Sequence, residues 1–484
     1  MSRGDRTIAM AGATGFVGQA LRDRLVGQYR VRGLTRSPRR AMDRDATGVE
    51  WRACDLFSTR DTERALEGAD VAVYLVHSMH PSARLVQASF MDLDLLLADN
   101  FARAAESAGV QHILYLGGIR PQTDAMSRHL ASRLEVERTL GARSVPVTTL
   151  RAGLIVGPGG SSLSMMVNLV RRLPVMLLPS WTRSKSAPVA IADVLRALER
   201  CIEEPRWIGG TFEIGGPEVL SYREMLERTG KVLGRHPLMI DVPVFSPYLS
   251  QKWVSWVAGA HEALAGPLIE SLRHSMVPTP NDVQAWLEPG LVPFEDALRR
   301  SLGPSGRSVP NPRASLRRSD DATLRSARTV RSVQRLPLPK DRRASWVATE
   351  YMRWLPRFVW PFLRCVNEEG RVRFHLRGTN IVLLELTHAP ERSTADRQLF
   401  RITGGALARI GDSFRGRFEF REVLCSEFLI AAIHDFRPRL PWLVYNATQA
   451  LVHLWVMRSF GRHLSRGGRP AAERELEAPS SIST

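Results

Sequence analysis

Three glycines near the amino end have the spacing of a loop that holds a dinucleotide phosphate. They follow a short apolar strand and open a stretch with helical spacing. A first glycine permits a tight turn, a second lets the main chain approach a pyrophosphate, and a third lets helix pack on strand. The free N–H groups at the helix start then favour an anion. We therefore predict dinucleotide binding, with a purely structural turn as the alternative, by Gly12, Ala13, Thr14, Gly15, Phe16, Val17 and Gly18.

The end of the second predicted strand bears on which dinucleotide is bound. NAD-binding proteins usually place a carboxylate there for the ribose hydroxyls, whereas this strand ends at Arg36, and Arg39 and Arg40 follow. A guanidinium suits a 2′-phosphate, so the sequence favours NADP, with NAD still possible. Asp55 and Leu56 follow the third predicted strand and are placed to contact the adenine, with a strand-end turn acid as the alternative for Asp55.

Strand-like and helix-like segments alternate around the glycine loop. This alternation over residues 1–152 predicts an α/β domain with a doubly wound parallel sheet of the Rossmann type. Residues 153–298 mix helices with short strands and read as a substrate-side subdomain. We therefore predict one NAD(P)-binding domain over residues 1–300, with the nucleotide-binding core at about 1–152.

Charge is concentrated in one part of the 484-residue chain. The formal net charge is +18, and residues 299–343 alone hold thirteen lysine or arginine residues against three aspartates. Proline, serine and glycine are frequent there too, which predicts a solvated basic linker at 301–332. A contact with anionic lipid or nucleic acid is the alternative, but no nucleic-acid-binding signature accompanies the charge, so no nucleic acid partner is expected.

The cysteines and the amino end bear on the compartment. Four widely spaced cysteines fit neither a disulfide framework nor a metal site, which favours a reducing environment. The amino end enters the strand-and-glycine pattern without an apolar signal-peptide core. We therefore expect a cytoplasmic location and no bound metal.

Several motifs resemble a known family. The segments GATGFVG, Asp55-Leu56, VAVYLVHS, LRAGLIVGPGG and FEIGGPEVLSYREML are similar to those of extended and atypical short-chain dehydrogenase/reductases. The run SRHLASRLEVERTL narrows the resemblance to the YbjT-like atypical members. RQLFRITGGALARI, AAIHDFRP and ALVHLWVMRSFGRHL resemble the uncharacterised domain that follows in that family. The resemblance implies the fold and an NAD(P) cofactor, and does not specify a reaction.

Standard members of that family use a tyrosine, a lysine four residues later, and a serine. Of the seven tyrosines only Tyr248 has such a lysine, Lys252, and we interpret this pair as chance because it lies outside the expected helix. That helix has His129 and Arg133 at the two positions. Either His129 donates a proton with a near-neutral pKa while Arg133 holds the ribose, or the two only bind nucleotide or lie on the surface. Ser127 is interpreted as the helix N-cap.

Residues 333–466 read as a separate α+β domain, followed by a disordered tail at 467–484. Residues 440–457 carry no formal charge, but their polar residues argue against a membrane span. We predict an amphipathic helix over a curved antiparallel sheet, as in helix-grip or START-like folds. Its stripe of Asn446, Gln449 and His453 lines an apolar ligand cavity or faces solvent. Peripheral membrane contact is a third possibility, because the segment also contains Trp442, Tyr445 and Trp455.

The amphipathic stretch Trp346–Phe362 is rich in aromatic residues. We interpret these aromatic side chains as part of the packed core.

Two functions follow from these patterns. One is an NADP-dependent oxidoreductase of atypical mechanism that passes hydride to or from a carbonyl, enone or quinone-like small molecule. The other is a non-catalytic NADP-binding protein, a redox-responsive regulator or an assembly or lipid-binding subunit. The glycine loop is needed by both, and the missing tyrosine and lysine favour the second. The sequence does not indicate an oligomeric state.

Overall fold

The computed structural model describes residues 3–37, 42, 48–77, 85–121, 126–242, 270–309, 329–410, 416–441, 444–445 and 448–467. The chain divides into two compact units. The first comprises Met1–Pro81 and Leu97–Ala322, and the second comprises Ser82–Leu96 and Thr323–Thr484. The second unit thus includes a short segment that the sequence analysis places in the first domain.

The described elements are numbered in chain order. The strands are β1 Thr7–Ala11, β2 Arg30–Thr35, β3 Val49–Ala53, β4 Val71–Tyr74, β5 Leu85–Gln87, β6 His112–Gly118, β7 Val147–Ala152, β8 Ile155–Val156, β9 Val175–Leu178, β10 Lys185–Ser186, β11 Val189–Ala190, β12 Thr211–Ile214, β13 Leu220–Ser221, β14 Leu238–Asp241, β15 Val330–Pro337, β16 Leu363–Glu368, β17 Arg371–Leu376, β18 Val382–His388, β19 Arg397–Gly404, β20 Arg417–Val423 and β21 Phe428–Phe436. The helices are α1 Phe16–Leu25, α2 Thr59–Leu66, α3 Phe90–Ser107, α4 Arg128–Leu140, α5 Ser161–Arg172, α6 Ile191–Glu203, α7 Tyr222–Val232, α8 Asp282–Leu287, α9 Phe294–Arg300, α10 Ala344–Phe358 and α11 Gln449–Ser465.

The first unit contains a seven-stranded parallel sheet in the order β12-β7-β6-β4-β1-β2-β3. Its central strands β1 and β4 are buried along their whole length, as expected of parallel strands covered on both faces. Ile8 and Met10 contribute to one core cluster, and Ala9 and Ala11 to another. The strand order reverses between β1 and β4, so this is the point where ligands of doubly wound sheets bind. The predicted α/β fold is confirmed.

The second unit contains an eight-stranded sheet in the order β16-β17-β18-β19-β20-β21-β15-β5. All neighbours are antiparallel except β15 and β5, which pair in parallel. Helix α10 follows β15 and helix α11 follows β21. The aromatic rings of Tyr351 and Phe460, from the two helices, pack on Phe418 and Phe420 of the sheet. A second, α+β unit is thus confirmed.

A buried ionic cluster lies in the second sheet. The Glu419 carboxylate accepts from Arg397 Nε at 2.8 Å, from an Arg421 guanidinium nitrogen at 2.9 Å and from His434 Nε2 at 2.8 Å. Burial alone would raise the pKa of Glu419, but the neighbouring cations outweigh it and hold that pKa well below its usual value. Burial lowers the pKa of His434. The carboxylate is therefore charged and paired inside the protein.

Two predictions for the end of the chain can be compared with this unit. Helix α11 starts at Gln449 and ends at Ser465, later than the segment 440–457 that the sequence predicts. Asn446 and Trp442 lie outside the described residues, and so does the tail 468–484. His453 bonds to Ser332 Oγ of β15 at 3.0 Å, and burial lowers the pKa of His453 to about 4. In the described part of the chain, no helix has the length and apolar character needed to span a bilayer.

Candidate dinucleotide-binding site

The glycine loop connects β1 to α1 at the reversal point of the sheet. Gly12 has a φ of +87°, and a Cβ there would lie 2.8 Å from the carbonyl oxygen of Leu75, the residue after β4. The Gly15 N–H donates to the Gly12 carbonyl at 2.8 Å, which closes the turn. Only glycine tolerates both this backbone conformation and this approach. The loop is therefore a tight turn between the carboxyl ends of the two central strands.

Helix α1 packs directly on that turn. A Cβ on Gly18 would lie 2.1 Å from the Gly12 carbonyl oxygen, so a side chain there would push the helix off the loop. Gly15 is the N-cap and contributes no side-chain cap, and the first turn contains no acidic residue. The first N–H groups of the helix have no intrahelical partners. Their partial positive charge therefore favours an anionic group at this position, which fits the diphosphate of a dinucleotide.

The remaining loop residues hold the turn in place. Ala13 is fully buried, and Val17 packs against the core cluster that contains Ile8 and Met10. The Phe16 ring fits over two glycines of the loop after β8: a Cβ on Gly157 would lie 3.1 Å, and one on Gly160 3.2 Å, from Phe16 Cζ. The sequence analysis missed this contact, although the glycines of the motif LIVGPGG were its signal. The seven predicted loop residues are thus together at one edge of the sheet.

The structure brings the other predicted cofactor residues to the same edge. Arg36 is exposed directly after β2, the neighbour of β1. The Asp55 carboxylate, in the turn after β3, accepts from the Phe57 N–H at 3.3 Å. The Leu56 carbonyl accepts from Asn100 Nδ2 at 2.8 Å, so buried Asn100 fixes this turn from α3. Arg39 and Arg40 lie outside the described residues.

Helix α4 carries the candidate catalytic pair. It begins where the sequence predicts, because Ser127 is its N-cap and the Ser127 hydroxyl accepts from the Leu130 N–H at 3.2 Å. Arg151 of β7 holds the helix against the sheet through two bonds to the Glu137 carboxylate, at 2.7 and 3.0 Å. The first turn of α4 lies beside the carboxyl end of β6, because a Cβ on Gly118 would lie 3.5 Å from Leu130 Cδ2.

His129 lies in a network of hydroxyl groups in that first turn. Its Nδ1 is 3.3 Å from Ser271 Oγ, which in turn is 2.8 Å from Ser127 Oγ. Both serines are buried. Burial, together with the positive charge of Arg133, lowers the pKa of His129 to about 3, far from the near-neutral value that the sequence analysis expects. His129 is therefore neutral at physiological pH. Ser271 was missed because 142 residues separate it from His129.

Arg133 follows His129 by one helical turn. Its main-chain carbonyl accepts from the Tyr115 hydroxyl at 3.2 Å, so the middle of β6 is bonded to α4 at this point. Within the described ranges, no carboxylate lies within ion-pair distance of the Arg133 guanidinium. Leu130 packs with Ile119 and Met276 in a small buried apolar cluster. The pair Tyr248–Lys252 lies outside the described residues.

Comparison with known proteins finds relatives of part of the first unit. Residues 12–161 match a family model described as NAD(P)H-binding. The chain is 29% identical over 142 residues to auxiliary protein GraX of Staphylococcus aureus, covering 29% of this chain and 42% of that protein. It is also 29% identical over 283 residues to (4-alkanoyl-5-oxo-2,5-dihydrofuran-3-yl)methyl phosphate reductase of Streptomyces griseus, covering 56% of this chain and 90% of that protein. The chain spans about half the length of the first curated relatives that it matches.

Among solved structures, triphenylmethane reductase of Citrobacter sp., complexed with NADP(H), superposes with a TM-score of 0.48 at 18% identity. The match covers 61% of this chain and all of that one. The family match includes the glycine loop, Arg36, the Asp55 turn and helix α4. Residues 12–161 of this chain therefore match an NAD(P)H-binding family in the region that contains the glycine loop.

Proposed function

We propose that this chain is an NADP(H)-dependent reductase whose acceptor is a conjugated carbonyl compound, an enone or a quinone. The observation that carries the proposal is the glycine loop of residues 12–18, in which Gly12 and Gly18 leave no room for a side chain. A bound nicotinamide supplies the hydride. Arg36 supports NADP(H), because it is exposed at the end of β2, where a guanidinium can pair with a 2′-phosphate.

The acceptor class rests on the neutral state of His129, the proton donor that the sequence analysis proposes. His129 has a pKa of about 3, so about one molecule in ten thousand carries an imidazolium at pH 7. Hydride addition to the β-carbon of an enone moves an electron pair onto oxygen and leaves an enolate, and hydride reduction of a quinone leaves the phenolate of a hydroquinone monoanion. Such an oxyanion takes its proton from water. A simple ketone would leave a far more basic alkoxide, which needs a positioned acid.

The residues of α4 have defined roles in this proposal. Neutral His129 can donate one N–H hydrogen bond to the developing oxyanion while the hydroxyls of Ser271 and Ser127 orient its ring. Arg133 cannot give up a proton and would bind the nicotinamide ribose or its phosphate as a fixed charge. The buried cluster of Ile119, Leu130 and Met276 favours an apolar substrate. A cytoplasmic location belongs to the same proposal, since Cys54 and Cys201 are buried free thiols.

A second candidate is an NADP-binding protein without catalysis. The observation that favours it is the serine network around His129, because a half-buried neutral histidine bonded to a buried serine also serves as a structural element. Stopped-flow oxidation of NADPH distinguishes the two. The full chain is saturated with NADPH and mixed with a panel of enones, quinones and simple ketones, and His129→Gln is the matched variant.

The reductase proposal predicts rapid oxidation with at least one conjugated acceptor and slow oxidation with simple ketones. His129→Gln should keep the affinity for NADPH and lower the rate. Tight NADPH binding without acceptor reduction above the background would refute the reductase and favour the second candidate.

A further inference from the structure

One end of the second sheet carries exposed apolar side chains. Trp360 and Phe362 precede β16, Ile381 precedes β18 and Ile410 follows β19. Their exposed fractions are 61%, 67%, 49% and 47%. Large apolar residues that are this exposed mark an interaction surface when they are contiguous.

Backbone hydrogen bonds show that these connections are adjacent. The Arg377 N–H donates to the Phe362 carbonyl, and the Leu376 N–H donates to the Ile381 carbonyl, both at 2.9 Å. The segment after β19 is adjacent to the start of β18, because the Leu407 N–H donates to the Leu383 carbonyl at 3.0 Å. The segments before β16, between β17 and β18, and after β19 therefore form one surface, which we call the loop end.

The start of helix α11 continues the loop end. The Arg439 N–H, in the segment after β21, donates to the Leu407 carbonyl at 3.1 Å. On α11 the Trp455 ring is half exposed and lies 4.6 Å, between centroids, from the ring of Phe358, two residues before Trp360. The aromatic residues of the loop end are thus continuous with those of the helix.

The charged side chains among the described residues of the loop end all have one sign. Exposed arginines lie among the apolar residues: Arg377, Arg409, Arg437 and Arg439. Residues 357–363, 376–382, 404–410 and 436–441 contain no aspartate or glutamate. The Arg377 guanidinium lies 3.6 Å from the centroid of the Trp360 ring, which keeps both groups at the surface.

We propose that the loop end docks on the surface of a lipid bilayer that contains anionic lipid. Tryptophan and phenylalanine on loop tips enter the boundary between headgroups and acyl chains, and arginines beside them pair with lipid phosphates. The lack of carboxylates among the described loop residues matches an anionic surface rather than a mixed-charge protein partner. This docking is independent of the proposed reductase activity.

Vesicle flotation of the full chain tests the proposal. The chain should float with vesicles of phosphatidylcholine and phosphatidylglycerol, and much less with phosphatidylcholine alone. Phe362→Ser with Ile381→Ser should lower the partition coefficient by at least about tenfold, because two inserted apolar side chains are lost. The matched control is Leu238→Ser with Val219→Ser, which removes equally exposed apolar groups from the first unit and should change binding less than about twofold.

A second measurement distinguishes loss of docking from misfolding of the double variant. Brominated acyl chains should quench tryptophan fluorescence, and the conservative change Trp360→Phe should remove a large part of that quenching. Lack of flotation with anionic vesicles would overturn the proposal. So would flotation that the Phe362→Ser and Ile381→Ser changes leave intact, because binding would then be a charge effect elsewhere, such as in the basic segment 301–332.

Discussion

Gly18→Ala perturbs the glycine loop at its most crowded point. The added Cβ would lie 2.1 Å from the Gly12 carbonyl oxygen. Real Cβ atoms essentially never approach another heavy atom closer than 3.0 Å, so helix α1 must move by roughly 1 Å. Overpacking of this kind costs roughly 1–3 kcal/mol of folding free energy.

The same movement should weaken the hold on the diphosphate. A hydrogen bond to a charged group contributes roughly 1.5–3 kcal/mol, and about 1.4 kcal/mol corresponds to a tenfold change in affinity. Loss of one main-chain bond through displacement of α1 therefore predicts a 10- to 100-fold rise in the Kd for NADPH, to order of magnitude. Fluorescence titration of NADPH measures the Kd, and urea unfolding of each variant measures stability.

Gly27→Ala is the matched control at the other end of α1. Gly27 has a φ of +88°, and an added Cβ would meet nothing within 4 Å. This variant loses only the folding free energy of placing alanine in a left-handed backbone conformation, roughly 1–2 kcal/mol. It should therefore bind NADPH like the wild type. A folded Gly18→Ala protein with the same NADPH affinity as Gly27→Ala would refute the reasoning.

Three further predictions concern other parts of the chain. Arg36→Glu should weaken NADPH at least about tenfold and leave NADH binding nearly unchanged in the same titration, because the 2′-phosphate would meet a carboxylate; equal losses for both coenzymes would contradict the role of Arg36. His129→Ala should lower kcat/KM for the conjugated acceptor without changing the Kd for NADPH, and the wild-type rate should show no His129 inflection near pH 6.5, since the pKa of His129 is about 3; an inflection that His129→Ala removes would refute this assignment. Glu419→Gln should destabilise the second unit by roughly 3–5 kcal/mol at pH 7, because buried cations lose their partner. The folded-state pKa of Glu419 is lowered, so its contribution is present above about pH 5 and is lost as the pH falls. Urea unfolding should therefore show the two proteins converging in acid, and a constant difference would contradict the ion pairing.

Local patterns predicted the parts of the site that depend on near neighbours. The loop from Gly12 to Gly18 requires positive φ and close approach at particular residues, and the sequence shows both requirements as glycine. Ser127 caps α4 as predicted because an N-cap depends only on the next three residues.

Contacts between distant segments could not be predicted in this way. Strand β5 at Leu85–Gln87 pairs with β15, more than 240 residues further along the chain, and nothing in its three residues indicates that partner. The low pKa of His129 arises from burial, to which Ser271 contributes from 142 residues away. Burial of this kind depends on tertiary packing and has no periodic signal in the sequence.

Calorimetric titration of NADPH and NADH into the full chain tests the central claim most directly. The glycine loop predicts one coenzyme site per chain. NADPH should bind more tightly than NADH, and the heat of binding should be strongly reduced in Gly18→Ala. Lack of binding of either coenzyme at millimolar concentration, or equal binding by Gly18→Ala, would contradict the claim that residues 12–18 hold the diphosphate.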